Sequence, residues 1–180
     1  MAERPGLVIR TAAEKDLPAM EWEGAYRRFR NMYRRAFTES LLGHRLLLVA
    51  EEDQEIIGQV FVQLRSDPRL PANDPKLGYL YALRVRPQHR GHGVGTQLIE
   101  EAERQLVRRG FRRVLIAVSM ENDKARRLYQ RLGYRVVGED PGEWTYVDDE
   151  GNLREVHEPA FLMEKHLPPP APRRRGFLPS

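Results

Sequence analysis

Between residues 85 and 98 the chain reads Val85-Arg86-Pro87-Gln88-His89-Arg90-Gly91-His92-Gly93-Val94-Gly95-Thr96-Gln97-Leu98. A β-rich apolar run over residues 77–85 stops at Pro87, and three glycines follow at alternate positions. A helical pattern then runs to about Arg109, with Leu98, Ile99, Ala102 and Leu106 as its apolar stripe and Gly110 as its stop signal. A strand passing through a glycine loop into a helix sets unpaired N–H groups and the positive end of the helix dipole at the end of the strand. Glycine removes the side chains that would hold a ligand away from the backbone. This combination makes an anion site suited to phosphate, and Arg90 adds a charged donor beside it. Two familiar phosphate loops fail on spacing. The Walker loop needs a Gly-Lys-Ser/Thr ending, and no lysine is near. The dinucleotide fingerprint needs a glycine three residues after Gly93, where Thr96 stands.

The rest of the pattern builds a layered α/β fold. Residues 7–10 are β-rich, and Thr11-x-x-Glu14 has the form of a capping box. Trp22, Tyr26, Phe29, Tyr33 and Phe37 follow helical spacing within residues 14–40, and Gly43 ends that stretch. Residues 45–52 and 56–65 flank Asp53-Gln54, which predicts an antiparallel hairpin. Residues 66–76, with Pro68, Pro71 and Pro75, read as a loop. Residues 114–118 are almost wholly apolar, as in a strand buried on both faces. Asn122 or Asp123 caps a helix carrying Ala125, Leu128, Tyr129 and Leu132, closed by Gly133. Residues 134–138 form a strand, and residues 143–147 and 153–165 read as a long final hairpin.

The expected order is β-α-α-β-β-β-α-β-α-β-β. It describes one α/β (α+β) domain over residues 1–167, with a mixed, mostly antiparallel sheet of six to seven strands and about four helices. The strand–helix–strand unit around residues 80–118 implies one local parallel pairing. Residues 168–180, rich in proline and arginine, read as a disordered tail.

Composition removes several function classes. With 41% hydrophobic and 31% charged residues the chain is of globular type, and the absence of cysteine excludes a thiolate metal site and a cysteine nucleophile. The net charge of +4 includes the three arginines Arg173, Arg174 and Arg175, so the body is nearly neutral and no nucleic-acid face is expected. No apolar run approaches the roughly 18 residues of a membrane span, and the start of the chain lacks the apolar stretch of a signal peptide. A cytoplasmic protein without membrane contact is expected. His89 and His92 lack a third ligand at metal spacing and read as solvated.

Arg90-x-x-Gly93-x-Gly95, preceded by Val85-Arg86-Pro87 and opening a helix, resembles the Arg/Gln-x-x-Gly-x-Gly/Ala signature of the GNAT superfamily of acyl-CoA-dependent N-acyltransferases. Asn122-x-x-Ala125-x-x-Leu128-Tyr129-x-x-x-Gly133-Tyr134 is similar to that family's second motif. The two cover about residues 80–138. The resemblance implies acetyl-CoA as co-substrate and no metal. Its pyrophosphate would lie on Arg90, Gly91, His92, Gly93, Val94, Gly95 and Thr96, with Asn122 nearby. Its pantetheine arm would bond to the strand at Leu83 and Val85. A backbone N–H near Leu83 would polarise the thioester carbonyl. An amine would attack directly, and Tyr129 would protonate the leaving thiolate as general acid.

On residue pattern alone, Tyr129 also reads as a core aromatic and Asn122 as a simple N-cap. The strand before the loop departs from family members that carry a glutamate there. Its residues 77–83 hold no carboxylate, leaving Glu51, Glu52, Asp74 or water relayed by Tyr79 or Tyr81 as base candidates. The acceptor is expected to be a primary amine on a small molecule or peptide, walled by residues such as Trp22, Tyr26, Tyr33, Trp144 and Tyr146. Protein N-terminal or lysine acetylation and a non-catalytic acyl-CoA-binding module are the alternatives, and a homodimer is left open.

Overall fold

A computed structural model describes residues 4–65 and 74–171. Most of the expected 66–76 loop and most of the 168–180 tail lie outside the described residues. The strands are β1 (Leu7–Thr11), β2 (Arg45–Glu52), β3 (Glu55–Gln63), β4 (Leu77–Val85), β5 (Arg113–Ser119), β6 (Arg135–Asp140), β7 (Glu143–Val147), β8 (Leu153–His157) and β9 (Ala160–His166). The α-helices are α1 (Arg30–Leu41), α2 (Val94–Arg108) and α3 (Asp123–Arg131). Seven strands form one sheet in the order β1-β2-β3-β4-β5-β9-β6, and β7 and β8 pair separately. β4 and β5 are parallel and the other neighbours antiparallel. Parallel neighbours need a crossover connection, and α2 supplies it between them in sequence.

The β2–β3 hairpin turns on Asp53 and Gln54, both with positive φ (50° and 66°), as a two-residue type I′ turn requires. Residues 14–29 depart from the expected helix. Three short 3-10 turns occupy Glu14–Asp16, Ala19–Glu21 and Arg27–Phe29. Trp22, Glu23 and Gly24 take φ values of 47°, 55° and 101° in succession, which no right-handed helix can contain. The aromatic spacing survives because these turns still fold Trp22, Phe29 and Tyr33 onto the sheet, where all are buried. The Thr11-x-x-Glu14 box does not form. Thr11 closes β1, and the Asp16 carboxylate accepts the Ala13 N–H at 2.7 Å.

The final hairpin is also shorter than expected. β8 stops before Pro159, which has no N–H to continue a ladder. The chain then enters the main sheet as β9, between β5 and β6.

Two cores sandwich the sheet. On one face Leu80, Val114, Ile116 and Met163 meet α2 through Leu98, Ile99, Ala102 and Leu106, with Tyr129 of α3 in the same cluster. On the other, Leu47, Val49, Ile56 and Phe61 meet Met20, Phe29, Tyr33 and Ala36. The close approach of α2 to β4 needs a glycine. A Cβ on Gly78 would stand 2.6 Å from Leu106 Cδ2.

Candidate active site

The two parallel strands at the sheet centre pair at only one end. β4 and β5 are in register from Leu77↔Arg113 to Leu80↔Ile116, and then both continue unpaired with each other, to Val85 and Ser119. The opening points toward the glycine loop, where β4 ends.

Inside the opening β4 carries a bulge. Phe61 of β3 faces Tyr81 and Gln59 faces Arg84, so two residues, Ala82 and Leu83, stand against Val60 alone. Ala82 adopts φ 51°, a left-handed conformation for a residue with a Cβ. Such a bulge changes which face later side chains point to. Before it, Leu80 joins the α2 face while Tyr81 packs on the α1 face. After it, Leu83 and Val85 pack on the α2 face, and Ala82 lies with the α1-side core. A bulge interrupts the ladder and leaves a residue unpaired, and a backbone N–H released in this way at the wedge would suit an acceptor such as a thioester carbonyl.

Beyond β4, a single 3-10 turn (Pro87–His89) leads into the loop. Gly91 and Gly93 take φ 76° and 82°, and Gly93 is the N-cap of α2. Any other L-residue would pay about 1–2 kcal/mol for that conformation. Among the described residues, no acceptor is hydrogen-bonded to the N–H groups of residues 91–96. Val94 is buried in the core, so only its backbone faces the loop, whereas His92 is exposed. Arg90 spends its Nε on the Val85 carbonyl (2.8 Å), strapping the loop to the strand end. Its terminal nitrogens have no partner among the described residues and remain available to an anion.

Tyr129 lies on α3, buried, with its ring 5.9 Å from that of Tyr134. Tyr134 donates to Glu103 at 2.8 Å, while the Tyr129 hydroxyl makes no hydrogen bond among the described residues. Burial, assisted by neighbouring Tyr79, pushes the Tyr129 phenol up to about 12. Tyr79 is likewise pushed up to about 12 by burial and then by the charge of Asp140 and by Tyr81. Three tyrosines and one carboxylate thus share an electrostatic neighbourhood. Asn122 is the N-cap of α3, accepting the Ala125 N–H at 3.1 Å, so its carbonyl oxygen is already engaged.

The carboxylates considered as bases are held elsewhere. Glu51 pairs with Arg10 (2.6 Å) and Glu52 with Arg4 (2.6 Å), both on β2, which β3 separates from β4. Asp74 pairs with Arg113 (3.0 Å) at the closed end of the β4–β5 pair. Tyr81 accepts a hydrogen bond from Arg45, which also pairs with Glu39. Tyr26, Tyr33, Trp144 and Tyr146 gather around Phe29 on the α1 face. Trp22 is buried against Tyr26, at 5.0 Å in edge-on contact.

Sequence reasoning missed the bulge at Ala82, for which no residue pattern exists. It also missed Gln59, Arg84 and Asp140. An arginine between Leu83 and Val85 in an apolar strand was the available signal for Arg84. Two open hollows of about 690 and 610 Å³ lie away from the wedge, and neither includes the glycine loop or Tyr129. Among the described residues, no group of three His, Cys, Asp or Glu residues is placed to hold a metal ion, and no helix is long and apolar enough to cross a membrane.

Residues 11–134 match the Acetyltransferase (GNAT) family. Solved structures share the fold at low identity. An N-acetyltransferase from Staphylococcus aureus Mu50 superposes with a TM-score of 0.69 at 20% identity, over 90% of this chain and 99% of that one. The ribosomal-protein-S18-alanine N-acetyltransferase of Escherichia coli gives 0.67 at 19% identity, over 93% and 97%. The PaiA N-acetyltransferase of Thermoplasma acidophilum in complex with coenzyme A gives 0.64 at 19% identity, over 89% and 98%.

Proposed function

Because the chain belongs to the GNAT family of acetyltransferases, we propose that it moves the acetyl group of acetyl-CoA onto a primary amine of a small molecule or peptide by direct attack. The observation that carries this reading is the wedge between β4 and β5, bulged at Ala82 and facing the free N–H groups of residues 91–96. Those N–H groups, with Arg90, are the donors for the pyrophosphate, and the helix dipole of α2 adds to their pull. Leu83 and Val85 offer backbone groups to the pantetheine arm, and their side chains hold that edge of the wedge against the α2 core. Gly91 and Gly93 keep the backbone bare where the phosphates approach. Asn122 stays in the reading as the cap that holds α3, and so Tyr129, in place.

As the amine nitrogen bonds to the acetyl carbon, the carbon–sulfur bond breaks and a thiolate leaves. Tyr129 supplies a proton to that sulfur. Its raised pKa keeps the phenol protonated at neutral pH. The burial that raises it also disfavours an unprotonated thiolate in the same place, so the transfer is less uphill than the two isolated values suggest. The amine must lose a proton before it attacks. With Glu51, Glu52 and Asp74 held in ion pairs away from the wedge, water relayed by Tyr79 is the route the site supports, with Asp140 as the nearby negative charge.

The test is a screen of primary amines for release of free CoA, run in parallel with Tyr129→Phe. Loss of a general acid lowers kcat by roughly 10²–10⁴-fold, while the rise in Tm on adding acetyl-CoA should persist. Unchanged kcat in Tyr129→Phe would remove the acid role. Binding of acetyl-CoA with no turnover of any amine would favour an acyl-CoA-binding module instead.

A further inference from the structure

The α1 side of the wedge carries a cation without a counter-ion. Arg10, Arg30, Arg45, Arg86 and Arg113 each face a carboxylate, whereas Arg28, over the Tyr26 and Phe29 rings, donates to the Ala25 carbonyl. Arg84, half-buried in β4, faces none among the described residues. Its Nη1 donates to the Tyr33 hydroxyl at 2.5 Å, and its guanidinium covers the rings of Tyr26 (4.2 Å) and Phe29 (5.1 Å).

Directly across the β3–β4 register stands Gln59, 0% exposed. Its amide interacts with the Tyr33 hydroxyl through a side-chain hydrogen bond too loose to satisfy both ends of the amide. A buried amide held only by one loose hydrogen bond keeps hydrogen-bonding capacity to spare, which is uncommon in native proteins. The bulge at Ala82 puts Arg84 on the face opposite Leu83 and Val85, with the aromatic residues of the α1-side core. Trp144 and Tyr146 of β7 border it through Phe29, and Trp144, 38% exposed, marks its solvent side.

We propose that Arg84, Gln59 and Tyr33 form an acceptor subsite for a carboxylate, and that the amine acetylated by this protein carries a carboxylate a few bonds from its nitrogen. The inference rests on the acetyl-transfer reading above. Arg84 supplies the planar fork that matches a carboxylate, and the Gln59 amide and Tyr33 hydroxyl supply further donors. Arg84 follows Leu83 directly in β4, so the carboxylate it holds lies within about one arginine side chain of the Leu83 backbone, which bounds the spacing between carboxylate and reacting amine. The same cation repels polyamines and lysine-rich peptides, which would bring a second ammonium against it. An α-carboxylate of a free amino acid and an acidic side chain next to a peptide amino terminus share this chemistry.

Four acceptors separate these sources: alanine against alaninamide, and Ala-Asp-amide against Ala-Asn-amide. Wild-type protein should use the carboxylate member of at least one pair with kcat/KM at least about tenfold higher, mostly through KM, the lower edge for a hydrogen bond to a charged group. Arg84→Met keeps the apolar stem and should bring that ratio within about threefold of unity. Arg84→Lys keeps the charge without the fork and should fall between. A rise in Tm with acetyl-CoA in each variant reports folding and an intact cofactor site. Equal use of both members of both pairs by the wild type, or a preference that survives Arg84→Met, overturns the proposal. Turnover of spermidine or a lysine peptide with neither carboxylate used would overturn the subsite and keep acetyl transfer. No release of CoA with any amine would overturn both.

Discussion

Replacing Gly93 with aspartate attacks the anion site in two ways that can be measured apart. Gly93 caps α2 at φ 82°, so a side chain there costs up to about 1–2 kcal/mol in the ligand-free protein, and aspartate, which tolerates the left-handed region, sits at the low end. The larger effect is charge. A carboxylate about 5 Å from one phosphate charge, at an effective dielectric of about 20, is repelled by ~3 kcal/mol. That weakens binding by about 100-fold or more.

Acetyl-CoA at 100 times the wild-type Kd stabilises the parent by about 2.7 kcal/mol. For a chain of this length that raises Tm by roughly 5–10 °C. At the same concentration Gly93→Asp retains only about 0.3 kcal/mol, a rise of about 1 °C. Gly93→Ala carries the backbone strain without the charge and should keep a clear part of the rise. The assay is thermal melting of all three proteins with and without acetyl-CoA. A full rise in Gly93→Asp would refute the placement of the pyrophosphate on this loop.

Other outcomes follow from single contacts. Gly78→Ala pushes a methyl into Leu106. Overpacking should lower stability by about 1–3 kcal/mol, read as a lower urea midpoint, and Leu106→Val in the same chain should restore part of it, whereas additive losses would argue against the clash. Asn122→Ala removes the cap on α3 and should cost about 1 kcal/mol, seen as a drop in Tm of a few degrees; no change would mean the Ala125 N–H finds water at no cost. The hydrogen bond from Arg10 holds the buried Asp16 carboxyl below its ordinary pKa. A depressed carboxyl contributes stability above its unfolded pKa of about 3.9 and loses it as pH falls through the lower folded value. Melting between pH 5 and pH 3 should therefore fall less steeply in Asp16→Asn than in the parent, and parallel curves would exclude this linkage.

The parts of the molecule legible in the sequence are those set by local rules. The Val85–Leu98 segment announced a strand, a glycine loop and a helix because each is encoded within a few residues, and α2 begins at Val94 behind Gly93. Asp53-Gln54 marked the β2–β3 hairpin, and the apolar run at residues 114–118 marked a strand packed on both faces. Residues 14–29 misled because aromatic spacing records which side chains turn inward, and a series of 3-10 turns with three left-handed residues satisfies the same spacing. The single long strand expected over residues 153–165 failed at Pro159, whose effect on a ladder depends on whether the chain remains in one sheet or changes to another.

The candidate site divides along the same line. Sequence alone determined its backbone half, since glycine freedom, helix polarity and the Arg90 charge are local properties, and it marked Tyr129 through a motif. Only the tertiary structure decided the other half. The wedge exists because β4 and β5 come from distant segments whose pairing stops at Leu80 and Ile116. The bulge at Ala82 exists because β3 offers one residue against two. Glu51, Glu52 and Asp74 left the list of bases because arginines far from them in sequence hold them in ion pairs. Arg84 stands without a counter-ion among the described residues, beside a buried Gln59, for the same reason: a charge's partners are set by which strands meet, and no spacing along the chain records that.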